Sequence, residues 1–334
     1  DYTSKAIMAI AFNKKNGLLE ENINTISEDL EQNIWFGTDG SGTYRFTGEQ
    51  FVNYTTRTGL PSNYVMSICQ DQQNNFWLST YDEGICCLKN NSTLNYNIKN
   101  SAIKNNTVWS SVCTKDNQLY FGTSGGLVKI KNGEITTYSN ESWLPSNKIT
   151  SLYEDEKNRL WIGCSKGLAI IDKNIKYTFN TSSGFKGKKI RSICAFENQI
   201  VVGSSTGIFA FDSELNSKKL TLDKSISGTI YCLENWQDSL LFIGTGNGLF
   251  IYNKKSIYQL HLHTSFSANY INFLKLDHNT LWIGTNFGVF ELDLKSLASS
   301  TIDLNHYAVA NGLKSVETNL NASYVDKKGN IWMG

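Results

Sequence analysis

The histidines and cysteines are the residues of this sequence that could hold a metal ion. His261 and His263 are two residues apart, so on a β-strand they share a face and supply half of a metal site. No third ligand is evident, and no Cys-x-x-Cys pair occurs. The cysteines are odd in number, which argues against a fully paired disulfide framework; they are Cys69, Cys86, Cys87, Cys113, Cys164, Cys194 and Cys232. We therefore expect buried thiols, no metal site and no cofactor.

Composition excludes several classes of protein. The 334 residues include 31 basic and 30 acidic side chains, a formal charge of +1, whereas nucleic-acid and membrane surfaces select for a clear basic excess. Apolar residues make up 40% and charged residues 18%, which favours a folded chain over a disordered one. No apolar run approaches the roughly 18 to 20 residues that span a bilayer, and no signal peptide is visible.

An internal repeat organises the chain. An apolar or aromatic triplet followed by Gly or Ser and a small residue recurs, with central residues at positions 35, 77, 120, 161, 201, 242, 282 and 332. Each unit also holds a short apolar strand, a polar turn and two further strands, as in Val65–Cys69 followed by Asp71–Asn75. Four short strands every ~42 residues are typical of propeller blades.

The fold prediction is therefore one all-β domain over residues 1–334, a β-propeller of four-stranded blades. Eight inner strands can be counted if Asn321–Val325 opens the last unit, which is truncated, and the N-terminal strand around Ala6–Phe12 could complete it. The longer final interval leaves seven closed blades as the other interpretation. We expect seven to eight blades, with a slight preference for eight.

The amino-acid sequence of the repeat resembles that of a known family. The string Gly59–Val65, followed by Asp71, Asn75 and Trp77, resembles the two-component regulator propeller repeat of bacterial histidine kinases, including the hybrid systems of Bacteroidota. The stretch from His306 to Ser323 is similar to the repeat that precedes the triple-tyrosine domain of those sensors. The resemblance implies a periplasmic signal-input domain, often for oligosaccharides, with triple-tyrosine, membrane and kinase parts beyond residue 334, within a homodimer.

The residues that recur at fixed places of the repeat are interpreted as structural. Tryptophan recurs at one fixed position in five of the eight units, which is how interblade packing residues behave; the set is Trp35, Trp77, Trp161, Trp282 and Trp332. Asp71 and Asp155 in the polar turns are interpreted as turn formers. Of the remaining histidines, His306 falls in the family-like segment and His278 in a polar turn, each without a visible nucleophile partner.

Function is expected in loop residues that differ between units. The strand order places two sets of connections on one face, those leading into each first strand and those joining the second and third strands. Aromatic rings beside polar groups there could cover the apolar faces of a sugar and bond its hydroxyls. The candidate ligand-binding residues are Tyr64, Tyr81, Asp82, Trp109, Trp143, Lys166, Lys189, Tyr270 and Phe287.

The leading hypothesis is a non-catalytic sensor domain that binds an oligosaccharide or another small ligand at this face. One alternative is a propeller glycosidase or lyase, which needs an acid and a base roughly 5–10 Å apart, and Asp39, Asp82 and Glu83 are the cluster that could supply them. The other alternative is a protein-interaction scaffold, which predicts an exposed apolar patch of several hundred Å² instead of a polar and aromatic pocket.

Overall fold

A computed structural model describes residues 23–28, 34–38, 43–46, 52–89, 92–220, 226, 228–262, 270–299, 301–308, 313 and 317–334. The chain divides into two compact units. Unit 1 comprises residues 1–52 and 310–312, and its described part is an antiparallel sheet in the order β1 (Ile23–Glu28), β2 (Ile34–Thr38) and β3 (Thr43–Phe46). Unit 2 comprises residues 53–309 and 313–334.

Unit 2 contains six four-stranded antiparallel blades in its described residues. Blade 1 is β4 (Val65–Gln70), β5 (Phe76–Thr80), β6 (Ile85–Lys89) and β7 (Ser92–Tyr96). Blade 2 is β8 (Val108–Cys113), β9 (Leu119–Thr123), β10 (Gly126–Lys131) and β11 (Glu134–Tyr138). Blade 3 is β12 (Ile149–Glu154), β13 (Leu160–Cys164), β14 (Gly167–Asp172) and β15 (Ile175–Asn180).

The second half of unit 2 repeats this pattern. Blade 4 is β16 (Ser192–Phe196), β17 (Gln199–Ser204), β18 (Gly207–Phe211) and β19 (Ser217–Lys219). Blade 5 is β20 (Ile230–Trp236), β21 (Leu240–Thr245), β22 (Gly248–Tyr252) and β23 (Ile257–Leu260). Blade 6 is β24 (Ile271–Asp277), β25 (Thr280–Thr285), β26 (Gly288–Asp293) and β27 (Leu304–Tyr307). Single 3₁₀ turns lie at η1 (Thr56–Thr58), η2 (Thr181–Ser183) and η3 (Leu294–Ala298).

The first strand of each blade contacts the first strand of the next, so that these inner strands surround a central channel. A two-stranded sheet, β28 (Ser323–Val325) and β29 (Ile331–Met333), lies between blades 6 and 1, where β28 contacts both β24 and β4. Asn319 Nδ2 donates to Val65 O at 2.9 Å, and Trp332 packs on Phe76 with ring centroids 4.1 Å apart. No helix among the described residues is long and apolar enough to cross a membrane.

The prediction of seven to eight blades is wrong: the described residues form six four-stranded blades. It counted one blade for each of the eight repeat motifs. The motif at Trp35 falls in the three-stranded sheet of unit 1, and the motif at Trp332 falls in the two-stranded sheet β28–β29. The predicted strand around Ala6–Phe12 lies outside the described residues.

Carboxylates in the turns between first and second strands anchor the repeated tryptophans. Trp77 Nε1 donates to Asp71 Oδ2 at 2.9 Å, and Trp161 Nε1 donates to Asp155 Oδ2 at 2.8 Å. Each tryptophan then packs on the following blade: the Trp77 and Phe121 centroids lie 5.9 Å apart. For Trp77 and Trp161 with their aspartates, the structural interpretation is confirmed.

The glycine of the repeat motif allows neighbouring blades to approach closely. A Cβ on Gly163 would lie 2.7 Å from Ile190 Cγ2, the residue that leads into the inner strand of the next blade. The same collision recurs at Gly203, where a Cβ would lie 2.8 Å from Ile230 Cγ2. A side chain at Gly163 or Gly203 would have to displace the adjacent blade, which explains why the position after the aromatic triplet is so often glycine.

The thiols are unpaired and sit in the β-sheet interior, as predicted. All seven cysteines are free; six are buried and Cys113 is partly exposed. Burial raises the pKa of Cys69 to about 12 and that of Cys164 to about 12. Both groups therefore stay protonated near neutral pH, where the thiol is a poor nucleophile and a poor metal ligand.

Candidate functional site

The two predicted sets of connections meet at one end of the blades. Tyr81 N, in the turn between β5 and β6, donates to Tyr64 O, just before β4, at 3.0 Å. In blade 3, Ser165 N likewise donates to Lys148 O at 2.9 Å. These bonds join the two connections of one blade at the end of the channel where the inner strands begin. We call this end the channel mouth.

The predicted ligand-binding residues differ in exposure. Tyr64, Tyr81 and Tyr270 are 61%, 50% and 44% exposed. The charged members Asp82, Lys166 and Lys189 are exposed as well. Trp109, Trp143 and Phe287 are partly buried.

The structure brings some of these residues together at the channel mouth. Tyr81 meets Trp109 edge to face with ring centroids 5.6 Å apart, and Lys148 Nζ lies 4.4 Å from the centroid of the Trp109 ring. Across the channel mouth, Tyr270 packs on Tyr231 at 5.5 Å. These contacts form two aromatic clusters, one centred on Trp109 and one on Tyr231.

Trp143 and Phe287 lie against outer strands instead. The Trp143 ring packs edge to face on Tyr138 of β11 at 6.0 Å and lies under Lys176 Nζ of β15 at 4.6 Å. The carbonyl of Phe287 contacts His306 Nε2 of β27 at 2.7 Å. Neither residue lines the channel.

The channel is a cavity of about 510 Å³ in the described part of unit 2, within the range of small-molecule sites. Its wall comes from β4, β8, β12, β16, β20, β24 and β28. Among the predicted residues, Trp109 lines it. The polar and charged groups of the wall are contributed by Ser67, Gln70, Ser110, Ser111, Thr150, Ser151, Tyr153, Arg191, Ser192, Glu234, Asn235, Lys275, Asn321, Ser323 and Tyr324.

A β-bulge opens the inner strand of five of the six blades, and it brings Trp109 and Thr150 to the wall of the channel. The pairing register shifts between Val108 and Ser110, so that Trp109 has no partner in the ladder. A bulge leaves one residue unpaired and redirects its side chain. The same register shift leaves one residue unpaired at the start of each of β4, β12, β20 and β24. Those residues are Met66, Thr150, Tyr231 and Asn272.

Arg191 takes the corresponding place in blade 4, directly before β16. Its N–H donates to Gly203 O at 2.9 Å, and its carbonyl accepts from Asn321 Nδ2 at 2.9 Å, so its backbone is held on both sides. Sequence reasoning missed Arg191 and Tyr231 as site residues. The available signal was positional: both follow an isoleucine one residue before the inner strand continues, as Trp109 follows Val108.

Two of the charged side chains that line the described part of the channel pair with each other, and the third, Arg191, does not. Glu234 and Lys275 lie 3.7 Å apart, while Arg191 takes part in none of the ion pairs of the described residues, and its Nε is buried without a hydrogen-bond partner there. Burial lowers the pKa of Lys148, and the positive charges of Arg191 and Lys189 lower it further. Burial also lowers the pKa of Arg191.

The predicted acid and base residues do not form a cleft in the described residues. Asp82 and Glu83 are both exposed in the turn between β5 and β6, and Asp39 lies outside the described residues. Within the described wall of the channel, Glu234 is the carboxylate, and it is bound to Lys275 and to the N–H of Leu276.

The described part of the chain contains no group of three His, Cys, Asp or Glu side chains that could hold a metal ion. His261 is exposed, and its predicted companion His263 lies outside the described residues. His278 Nδ1 contacts Asp277 Oδ1 at 2.7 Å at the surface. His306 stacks on Phe290 with ring centroids 4.3 Å apart.

Comparisons with known proteins agree with the predicted resemblance. Residues 59–82 and 144–166 match the family model of the two component regulator propeller. No curated protein matches the chain. The resemblance to two-component regulator propeller repeats is therefore confirmed for these two repeats.

Solved structures with the same fold include extracellular domains of bacterial signalling proteins. The extracellular domain of the proposed hybrid two-component system BT3049 from B. thetaiotaomicron has a TM-score of 0.75 and 21% identity, over 97% of this chain and 45% of that one. The extracellular domain of the proposed one-component system BT4673 from the same organism has a TM-score of 0.71 and 22% identity, over 98% and 47%. The chain thus spans less than half of either domain.

An enzyme shares the fold as well. Virginiamycin B lyase from Staphylococcus aureus has a TM-score of 0.62 and 14% identity, over 81% of this chain and 91% of the enzyme. At these identities the structural matches establish the propeller fold. The first two neighbours are consistent with a sensor domain, and the lyase shows that the same fold also supports catalysis.

Proposed function

We propose that this chain is part of the ligand-sensing input region of a two-component signalling protein, and that it does not catalyse a reaction. The observation that carries the proposal is the coincidence of two-component regulator propeller repeats with an open channel, lined at the start of its inner strands by residues that differ between blades, such as Trp109, Thr150 and Arg191. Repeated positions hold the blades together, whereas the bulged positions are free to differ and so to select a ligand.

The same proposal includes the location and the further domains of the longer protein that would contain this chain. The structural neighbours are extracellular domains of signalling systems, which supports a location outside the cytoplasm; we place the domain in the periplasm, as the ectodomain of a membrane-anchored sensor. A triple-tyrosine domain and a histidine kinase in the same chain, paired in a homodimer, would relay the signal. Ligand binding would then shift the packing of the propeller against the next domain, because a ligand favours whichever state binds it more tightly.

The channel mouth suits an oligosaccharide or another ligand of that size. Trp109 and Tyr81 present aromatic surface beside Lys148, and hydroxyl groups such as those of Ser67 and Ser111 line the wall below them. Rings cover the apolar faces of a sugar while hydroxyls and amides bond its polar edges. The volume of about 510 Å³ falls within the range typical of small-molecule pockets.

Replacing Trp109 with alanine tests the proposal. A panel of plant, host and microbial oligosaccharides is screened by thermal shift against the chain, since a ligand that binds the native state raises its melting temperature. We expect Trp109→Ala to weaken binding of any hit about fivefold to tenfold, the share that an aromatic contact contributes. Tyr258→Ala is the matched control, because Tyr258 is 43% exposed on outer strand β23, away from the channel.

Three outcomes contradict the proposal. A hit equally weakened by Tyr258→Ala, or insensitive to both Trp109→Ala and Tyr81→Ala, places the site elsewhere. Cleavage of a hit by the chain, detected by chromatography of the mixture, would show that the chain is an enzyme instead. Silence across the whole panel favours an interaction scaffold over a ligand sensor.

A further inference from the structure

A dense group of cations lies where blades 3 and 4 meet at the channel mouth. The connection between them, residues 180–191, contains Lys186, Lys188, Lys189 and Arg191, and no carboxylate. The adjacent turns at residues 165–166 and 205–206 add Lys166 and again no carboxylate. The chain as a whole carries a formal charge of only +1, so this concentration is local.

Backbone contacts hold Lys189 and Arg191, together with Lys148 from the connection before β12, at the channel mouth. Lys148 O accepts from Ser165 N at 2.9 Å, and Lys189 N donates to Ser165 O at 2.9 Å, so the two lysines flank the same residue. Arg191 follows two residues later and lines the cavity. The group is therefore anchored at its backbone, unlike lysines on a mobile surface loop.

Arg191 has no protein partner for its charge in the described residues. The other charged side chains of the channel wall, Glu234 and Lys275, pair with each other. Arg191 Nε is buried and makes no hydrogen bond there, although a guanidinium offers five N–H donors. A partly buried cation without an anion costs free energy, and an anionic ligand would supply the missing partner.

Lys148 is exposed and adds a second positive charge at the channel mouth. Its Nζ lies over the Trp109 ring at 4.4 Å, a cation–π contact, and none of the ion pairs in the described residues involves it. The lowered pKa of Lys148, caused by burial and by Arg191 and Lys189, agrees with a group of cations that repel one another. Lys148 therefore lies against the aromatic ring of Trp109, and Arg191 lines the same channel as that ring.

We propose that the channel mouth selects an anionic saccharide, with Arg191 binding its carboxylate or sulfate group and Lys148 and Lys189 strengthening the attraction. Trp109 stacks on the ring that carries this group. The inference rests on the proposed ligand-sensing function and adds the charge of the ligand. A guanidinium binds carboxylate and sulfate through the same paired N–H donors, so the ligand class is defined by the anion and by the sugar ring together.

Calorimetric titration of the chain with three disaccharides tests the proposal. Digalacturonate carries carboxylates, a sulfated N-acetylhexosamine disaccharide carries sulfate, and lactose is neutral. We expect at least one acidic disaccharide to bind, lactose to bind at least about tenfold more weakly, and Arg191→Gln to weaken the acidic ligand about tenfold or more. Raising the salt concentration should weaken acidic binding in the wild type and have less effect in Arg191→Gln.

Lys157→Gln is the matched control. Lys157 is exposed in the turn between β12 and β13, at the opposite end of blade 3. Lys157→Gln therefore removes one positive charge, as Arg191→Gln does, but far from the channel mouth. Arg191→Lys should bind with intermediate affinity, because it keeps the charge and loses the paired donors. Without ligand, Arg191→Gln should have a melting temperature equal to or higher than that of the wild type, because Arg191 Nε is buried and makes no hydrogen bond within the described residues.

The outcomes separate this inference from the proposed function. If lactose binds as tightly as the acidic disaccharides, and Trp109→Ala weakens it while Arg191→Gln does not, the sensor remains and its charge selectivity is refuted. If neither acidic disaccharide binds at millimolar concentration, the anionic site is refuted, whatever the wider panel shows. A lower melting temperature for unliganded Arg191→Gln would assign the arginine a structural role and overturn the inference.

Discussion

Replacing Asp155 with alanine should destabilise unit 2 by about 3–5 kcal/mol, the usual cost of removing one partner from a buried ion pair. Asp155 and Arg159 are 3% and 6% exposed, and Arg159 Nε donates to Asp155 Oδ2 at 2.6 Å. The variant leaves the guanidinium buried without its anion and leaves Trp161 Nε1 without its acceptor. Urea unfolding followed by tryptophan fluorescence measures the change in free energy.

Asp212→Ala is the control for this prediction. Asp212 accepts from Asn216 N and Nδ2 in the same kind of turn, but it stands at the surface, so we expect little change in the unfolding midpoint. Asp155→Asn should fall between the wild type and Asp155→Ala, because it keeps a hydrogen-bond acceptor and loses the charge. Equal effects of Asp155→Ala and Asp212→Ala would show that burial of the pair contributes nothing.

Acid should remove the contribution of Asp155. Burial opposes ionisation of this carboxyl, yet hydrogen bonds from Trp161 and from the backbone and side chain of Arg159, with the charge of Arg159, hold its pKa below the ordinary value. A carboxyl whose pKa is lower in the folded state stabilises the fold above its unfolded pKa of about 3.9, and the stabilisation disappears as the pH falls below it. The stability difference between wild type and Asp155→Ala should therefore shrink below about pH 4.

Gly163→Ala should cost about 1–3 kcal/mol, the usual penalty for inserting a methyl group into a packed interior. The new Cβ would collide with Ser151 Oγ of the same blade and lie 2.7 Å from Ile190 Cγ2 and 2.9 Å from Ile190 Cβ. Relief requires the Ser151 side chain to turn away and blade 4 to move away from blade 3, which also shifts Arg191, the residue after Ile190. We thus expect both a lower unfolding midpoint and weaker ligand binding at the channel mouth.

Ser79→Ala is the matched substitution. Ser79 takes the place of the motif glycine in blade 1, pairing with Ser67 as Gly163 pairs with Ser151. It is fully buried and its hydroxyl has no hydrogen-bond partner among the described residues. Alanine at this position should leave stability unchanged or raise it slightly. A loss as large as that of Gly163→Ala would contradict the steric explanation.

The blade architecture could be predicted from the sequence because each blade repeats one arrangement of turns and packing residues. Asp71 and Trp77 reappear as Asp155 and Trp161 at the same spacing, and each pair makes the same hydrogen bond. Periodicity therefore reports local structure accurately. It does not report whether a motif has enough neighbouring strands to form a blade, which is why Trp35 and Trp332 were counted as blades and the structure has them in smaller sheets.

The candidate site could be predicted in part. Positions such as Tyr81 and Trp109 were found because they differ between repeats, but the contact between them depends on the bulge that opens β8. A bulge follows from the register of two strands, which hydrophobic patterns do not fix. Trp143 illustrates the consequence: it lies in the correct connection, yet its ring packs on Tyr138 at the outer strands.

Hydrogen–deuterium exchange of the chain with digalacturonate, and separately with lactose, tests the central claim that the channel mouth is a ligand sensor. The account predicts slower exchange in peptides that open β8, β12, β16 and β20, around Trp109, Thr150, Arg191 and Tyr231, with no change in outer strands such as β19 and β23. The protected peptides should return to their free rates in Trp109→Ala. Protection confined to the outer strands, or identical exchange with and without these sugars and every other member of the oligosaccharide panel, would contradict the account.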